Sequence, residues 1–179
     1  MIYAEELDER KQANAATFLG RGAEERPSVE DARILIADDD PDVMRLTLRL
    51  LHRAGFVHVD TATGGRQAIT MMRTRTPDVL LLDVHMPEID GLATLRAMSA
   101  DGRPRPITSV LAVSGDSSPG IRRSMLLHGA EDFLVRPCTG ADLVNRVRRL
   151  ADRTRSLNDA LERLSLLDGL VRNPRARGR

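Results

Sequence analysis

The stretch that most constrains the fold is residues 77–91, PDVLLLDVHMPEIDG. Its apolar run, 79–82, is long enough for a strand and rich in branched side chains, and it stops abruptly at a carboxylate, Asp83, before a polar loop that holds Pro87. A single acid at the end of a buried strand reads first as a turn residue. It becomes a site only if other polar groups gather at the same place, so the rest of the chain decides.

The rest repeats the same rhythm. The run ILIA (34–37) ends in three successive acids, Asp38, Asp39 and Asp40, and then Pro41. After it come Val43, Leu46, Leu50 and Leu51 at helical spacing, with Asp40 placed to cap that helix, Pro41 suited to its first position and Gly55 to its end. A weak strand is expected over 56–61 and a helix over 65–75, with Ala68, Ile69 and Met72 facing inward. The central strand, 79–82, precedes a helix over 92–98, which the loop DGRPRP ends with two prolines. A strand over 107–113 closes at Ser114-Gly115-Asp116, a helix over 121–128 stops at Gly129, and 133–135 forms the last strand. Five strands alternating with helices predict an α/β fold, a doubly wound five-stranded parallel sheet joined by right-handed crossovers.

Composition narrows the function classes. Aromatics are only 2% of the chain, which removes the stacking platforms of a single-strand nucleic-acid reader. The lone cysteine, Cys138, supports neither an internal disulfide nor a thiolate metal cluster. The N-terminal MIYAEELDERKQ has no apolar signal core, and no run approaches the roughly 18 residues of a membrane span, so a cytoplasmic protein with no membrane partner is expected. Charge divides the chain in three. Residues 1–31 hold eight acids and four bases, 32–138 thirteen of each, and 139–179 five acids and ten bases. An acidic, flexible N-terminal extension over 1–31, a globular domain over 32–150 and a basic C-terminal extension over 151–179 are the expected organisation.

In open parallel sheets, ligands bind at the carboxyl ends of the strands, near the point where strand order reverses. The polar groups at those ends are Asp38 and Asp39 after the first strand, Asp83 after the third, Ser114 after the fourth and Arg136 after the fifth. Carboxylates gathered within a few ångströms repel one another unless a cation sits among them, and oxygen ligands suit a hard ion such as Mg2+. A hydroxyl and a guanidinium opposite them suit an anion. Together these are the requirements of phosphoryl transfer to a carboxylate, whose product would be an acyl phosphate on Asp83.

The motifs ILIADDD, LLLDVHMPEIDG, AVSGD and FLVRP, in that order over about residues 33–150, resemble the receiver domain of bacterial two-component response regulators. The resemblance implies a flavodoxin-like receiver fold and a phosphoprotein of a phosphorelay rather than an enzyme, one that assists its own phosphorylation and dephosphorylation. It implies Asp83 as phosphoacceptor and Asp39 as a direct Mg2+ ligand. Asp38 would bind the ion through water or help to position it, and the backbone carbonyl of His85 would complete the protein ligands. Ser114 would be the hydroxyl that swings toward the phosphoryl group, and Phe133 the ring whose rotation signals it on the outer face. A histidine kinase or phosphotransfer protein would be the donor.

One position departs from the pattern. The family places a Lys where this chain has Arg136, in a sequence with one Lys, Lys11, against 26 Arg. A planar fork grips phosphate bidentately but does not fit the space of a compact ammonium. A different lifetime of the phosphorylated state, or altered coupling to output, is the expectation, and a receiver-like scaffold that works without phosphate is the alternative. No GxxxxGK[ST] or GxGxxG motif supports nucleotide binding.

The final helix does not stop where a receiver ends. Leu143, Val147, Leu150, Thr154, Leu157, Leu161 and Leu164 alternate steps of four and three residues, a heptad seam that Asp168 and Gly169 are expected to end. The first half must pack on the sheet. Beyond about Arg153 no domain surface is expected to cover the leucines, so the extended C-terminal helix predicts a homodimer. The last stretch, LSLLDGLVRNPRARGR, faintly resembles the approach to a diguanylate cyclase domain, which leaves a receiver separated from a lost output domain as a further alternative. Its arginines imply no specific nucleic-acid recognition.

Overall fold

A computed structural model describes residues 28–100 and 107–172, with side chains as far as 165. The expected N-terminal extension, the DGRPRP loop and the last seven residues lie outside them. Residues Val29–Asp159 form one compact unit. From Ala160 the chain belongs to a second, whose described part continues the last helix.

After one 3-10 turn at Val29–Asp31, five strands alternate with five helices: β1 (Arg33–Ala37), α1 (Pro41–Arg53), β2 (His58–Ala62), α2 (Gly65–Thr74), β3 (Val79–Asp83), α3 (Gly91–Ala100), β4 (Ser109–Ser114), α4 (Pro119–Leu127), β5 (Asp132–Val135) and α5 (Gly140–Arg172). The strands are parallel in the order β2-β1-β3-β4-β5, so the order reverses between β1 and β3. The doubly wound fold is as expected.

Alternation along the strands builds two cores. Leu35, Leu80, Leu82, Val110 and Phe133 face one side, where Met72 of α2, Leu95 of α3 and Met125 of α4 cover them. Ile34, Ile36, Leu81, Leu111 and Leu134 face the other, against Leu51 of α1 and Leu143, Val147 and Leu150 of α5. Each fully buried side chain of this size contributes about 1.5–3 kcal/mol.

Local chemistry sets the element ends. Asp40 accepts from the N–H groups of Asp42 and Val43 and so caps α1, with Pro41 at the first helical position. Gly55 follows that helix at φ 99°, and Gly129 follows α4 at φ 108°, conformations that favour glycine. The inner face of α1 carries Met44, Thr47, Leu48 and Leu51, and Leu46 lies off it, 57% exposed.

Several expectations need correction. Strand β2 begins at His58 rather than residue 56, because the Phe56 N–H bonds the Leu51 carbonyl and the Val57 N–H bonds the Glu30 carbonyl. Strand β4 begins at Ser109, since both backbone groups of Ile107 bond the Asn158 side chain. Helix α5 runs through Asp168 and Gly169 to Arg172. One interior glycine costs only about 1 kcal/mol relative to alanine, too little to end a long helix.

The heptad seam divides. Leu143, Val147, Leu150 and Thr154 are buried, whereas Leu157, Leu161 and Leu164 are 40%, 47% and 62% exposed. Domain surface therefore does continue beyond Arg153: Thr154 donates to Ser109 Oγ at 2.5 Å, and Asn158 pairs with Ile107.

Candidate functional site

The parallel register sets Ala37 beside Leu82, so Asp38 follows β1 where Asp83 ends β3. Both side chains are buried, while Asp39 is exposed. Carboxylate oxygens of Asp38, Asp39 and Asp83 lie within 4.8 Å of one another. Backbone donors fix the buried pair: Asp38 Oδ1 accepts from Asp40 N–H at 2.9 Å, and Asp83 Oδ2 from His85 N–H at 3.0 Å. Asp40 stays outside the cluster as the α1 cap.

Arg136 joins these acids from across the sheet. Its N–H donates to the Ser114 carbonyl at 2.7 Å just past the end of β5, and the Arg136–Pro137 peptide is cis. Its Nη1 donates to Asp38 Oδ2 at 3.0 Å, and its Nη2 pairs with Asp83 Oδ1. One guanidinium thus spans acids from two strands.

Burial nevertheless dominates the Asp83 carboxyl, which is pushed up to about 6. The charges of Asp38 and Asp39 raise it further, and the Arg136 charge and the His85 N–H act the other way without prevailing. A cluster of hard oxygen donors still short of positive charge, with one exposed member, fits a divalent cation such as magnesium.

The other expected residues are also placed. Ser114 ends β4, next to β3, and its buried Oγ accepts from Asp116 N–H at 3.0 Å. Phe133 is buried in the core layer that holds Met125 and Ala130. The His85 side chain is exposed, and its contribution to Asp83 is the backbone N–H. Asp116 has its carboxyl lowered by hydrogen bonds from Ser118.

Two glycines, Gly65 and Gly91, shape the loop after Asp83. A Cβ on Gly91 would stand 2.5 Å from the Asp83 carbonyl oxygen, and one on Gly65 would stand 2.4 Å from the Ile89 carbonyl oxygen. Gly91 N–H also bonds the Val84 carbonyl at 2.9 Å. The Asp90-Gly91 pair was the available signal, since such dipeptides mark tight turns. A groove of about 400 Å³, lined by residues including Arg33, His58, Asp60 and Arg75, lies where β1 and β2 begin. It is therefore at the opposite edge from the acids, and its shape carries no part of their chemistry.

Comparison with known proteins places the response regulator receiver domain family on residues 34–148. The transcriptional regulatory protein PrrA of Mycobacterium tuberculosis is 38% identical over 125 residues, which are 70% of this chain and 52% of PrrA. The chain thus spans about half the length of that relative. The receiver domain of the Francisella response regulator 1452 superposes with a TM-score of 0.63 at 27% identity, covering 69% of this chain and 98% of that one. CheY in the CheX-CheY-BeF3-Mg+2 complex of Borrelia burgdorferi gives 0.61 at 25% identity, covering 66% and 88%. Among the described residues, no helix is long and apolar enough to cross a membrane.

Proposed function

The chain belongs to the response-regulator receiver family, and from that premise we propose that Asp83 accepts a phosphoryl group from a histidine kinase or phosphotransfer protein in a magnesium-dependent transfer. The observation that carries the reading is the convergence of three carboxylates, with Arg136 beside them, at the strand ends where the sheet order reverses. In the transfer, an Asp83 oxygen attacks phosphorus, the P–N bond of the donor phosphohistidine breaks, and the product is an acyl phosphate. With a carboxyl near 6, Asp83 is mostly ionised at neutral pH and able to attack.

Asp38, Asp39 and Asp83, with the His85 backbone carbonyl, would hold magnesium. When bound, the ion supplies charge neutralisation for the phosphoryl oxygens. The Borrelia relative, in its complex with BeF3 and Mg+2, supports that choice of cation. Ser114 Oγ already accepts from Asp116, so its own proton is the one to donate to a phosphoryl oxygen. Phe133, buried in the described conformation, is the ring that turns on activation.

Output runs through protein contacts. The exposed Leu157, Leu161 and Leu164 suit pairing with α5 of a second copy. The scaffold reading, in which no phosphate is taken up, draws on one observation: Arg136 already pairs with two of the acids.

Intact-mass measurement after incubation with Mg2+ and a small phosphodonor decides between them. One added phosphoryl group, absent in Asp83→Asn, is the expected result. No gain under any donor rejects the transfer in favour of the scaffold.

A further inference from the structure

We propose that Arg136 is a built-in counter-ion that competes with the metal for the acid cluster, so that metal entry requires the guanidinium to leave Asp38 and Asp83. The inference rests on reading that cluster as a magnesium site.

The oxygens can be counted. Asp38 offers Oδ1 to the Asp40 N–H and Oδ2 to Arg136, and Asp83 offers Oδ2 to the His85 N–H and Oδ1 to Arg136. Every oxygen of the two buried acids therefore already faces a donor. A carboxylate oxygen has lone pairs for a second partner, but a cation and a guanidinium on one oxygen bring two positive charges together within a few ångströms. One donor must yield.

The two N–H donors are part of the backbone that turns away from the strand ends, two residues after each acid. Arg136 is different. It sits at the tip of a long side chain that is 28% exposed, and its contacts are made by two separate nitrogens that can be withdrawn together. Asp39 is exposed and makes neither contact with the guanidinium, so it is the natural first ligand for an arriving cation.

The two-acid grip follows from the arginine fork. Lysine ends one atom earlier in a single nitrogen, so Arg136→Lys keeps the charge while losing at least one of the two bonds. That separates displacement of a ligand from a general electrostatic effect. Competition predicts tighter metal binding in the lysine variant, whereas a field effect alone predicts no change.

The test titrates the full chain with Mg2+ alone by calorimetry, as wild type, Arg136→Lys and Arg136→Met. The guanidinium proton resonances of Arg136 are followed by NMR in the wild type, and circular dichroism checks folding. Arg136→Lys should bind Mg2+ about tenfold more tightly, the worth of one charge-assisted hydrogen bond. The wild-type resonances should shift with the same midpoint as the calorimetric isotherm. Tightening in Arg136→Met only, or equal affinities with unmoved resonances at saturation, would overturn the competition and leave the metal site standing. Failure of all three proteins to bind Mg2+ would reject the metal site itself, and the inference with it.

Discussion

The carboxamide of Asn158 bonds both backbone groups of Ile107: its Oδ1 accepts from the N–H at 2.6 Å, and its Nδ2 donates to the carbonyl at 2.9 Å. One side chain stands in for a neighbouring strand just before β4 begins. Four residues back on the same face of α5, Thr154 donates to Ser109, whose own Oγ donates to Glu131 at 2.7 Å. Two polar contacts thus fasten α5 to the base of β4, the strand that ends in Ser114.

Asn158→Ala leaves an N–H and a carbonyl of Ile107 without partners in a half-buried place. The expected cost is about 1–3 kcal/mol, read as a lower urea midpoint with an unchanged slope. Faster hydrogen exchange at the Ile107 amide should accompany it. An unchanged midpoint would mean that water replaces the carboxamide at no cost.

Gly91 tests how tightly the loop closes on Asp83. Alanine there brings a Cβ to 2.5 Å from the Asp83 carbonyl and 2.9 Å from Val84 Cα, both backbone atoms that must move. A loss of about 1–3 kcal/mol is expected, together with reduced phosphoryl uptake. Gly120, inside α4 with open space around its Cβ position, is the contrast, and alanine there should stabilise by up to about 1 kcal/mol. Equal effects at the two positions would show that the space around the Cβ is not what separates them.

Much of this was legible because the signals are local. Asp40, Pro41 and Gly55 mark the ends of α1 through hydrogen bonds within a few residues, and Asp38 and Asp83 fall at strand ends wherever apolar runs stop. What was not legible depends on partners far along the chain. The starts of β2 and β4 are set by Glu30 and Asn158, which no window around Val57 or Ile107 contains. Thr154 fits the heptad seam equally well whether a second helix or Ser109 of its own sheet lies opposite. Arg136 was readable as a positive charge at the sheet edge. Its bridge between Asp38 and Asp83 is a product of strand register.

The Asp83 carboxyl gives a pH dependence with a definite sign. Its value is raised from the ordinary 3.8 to about 6, so the folded protein holds this proton more tightly than the unfolded chain. Between these values, rising pH ionises the unfolded chain first, and stability falls. Above the window the folded state carries a constant penalty of at most about 3 kcal/mol. In chelator-treated buffer, Asp83→Asn should therefore be more stable than wild type at pH 8, with the difference closing as pH falls toward 4. A less stable Asn variant at pH 8 would show that the Arg136 pair outweighs burial.

The tail makes the last prediction, and Asn158 decides where to cut. Thr154 and Asn158 belong to the packing of Val29–Asp159, so truncation at Arg153 would injure the domain along with any dimer. Ending the chain after Asp159 keeps both contacts and removes Leu161 and Leu164, two of the three exposed seam leucines. Buried Leu150 and Thr154 cannot contribute to a helical dimer, so the seam open to a second copy starts at Leu157. Its described part is little more than one heptad, short for an isolated coiled coil. Light scattering after size exclusion should give a weak, concentration-dependent dimer for the full chain and a monomer for the truncated one. A dimer that survives truncation unchanged would place the contact on the domain rather than on the helix.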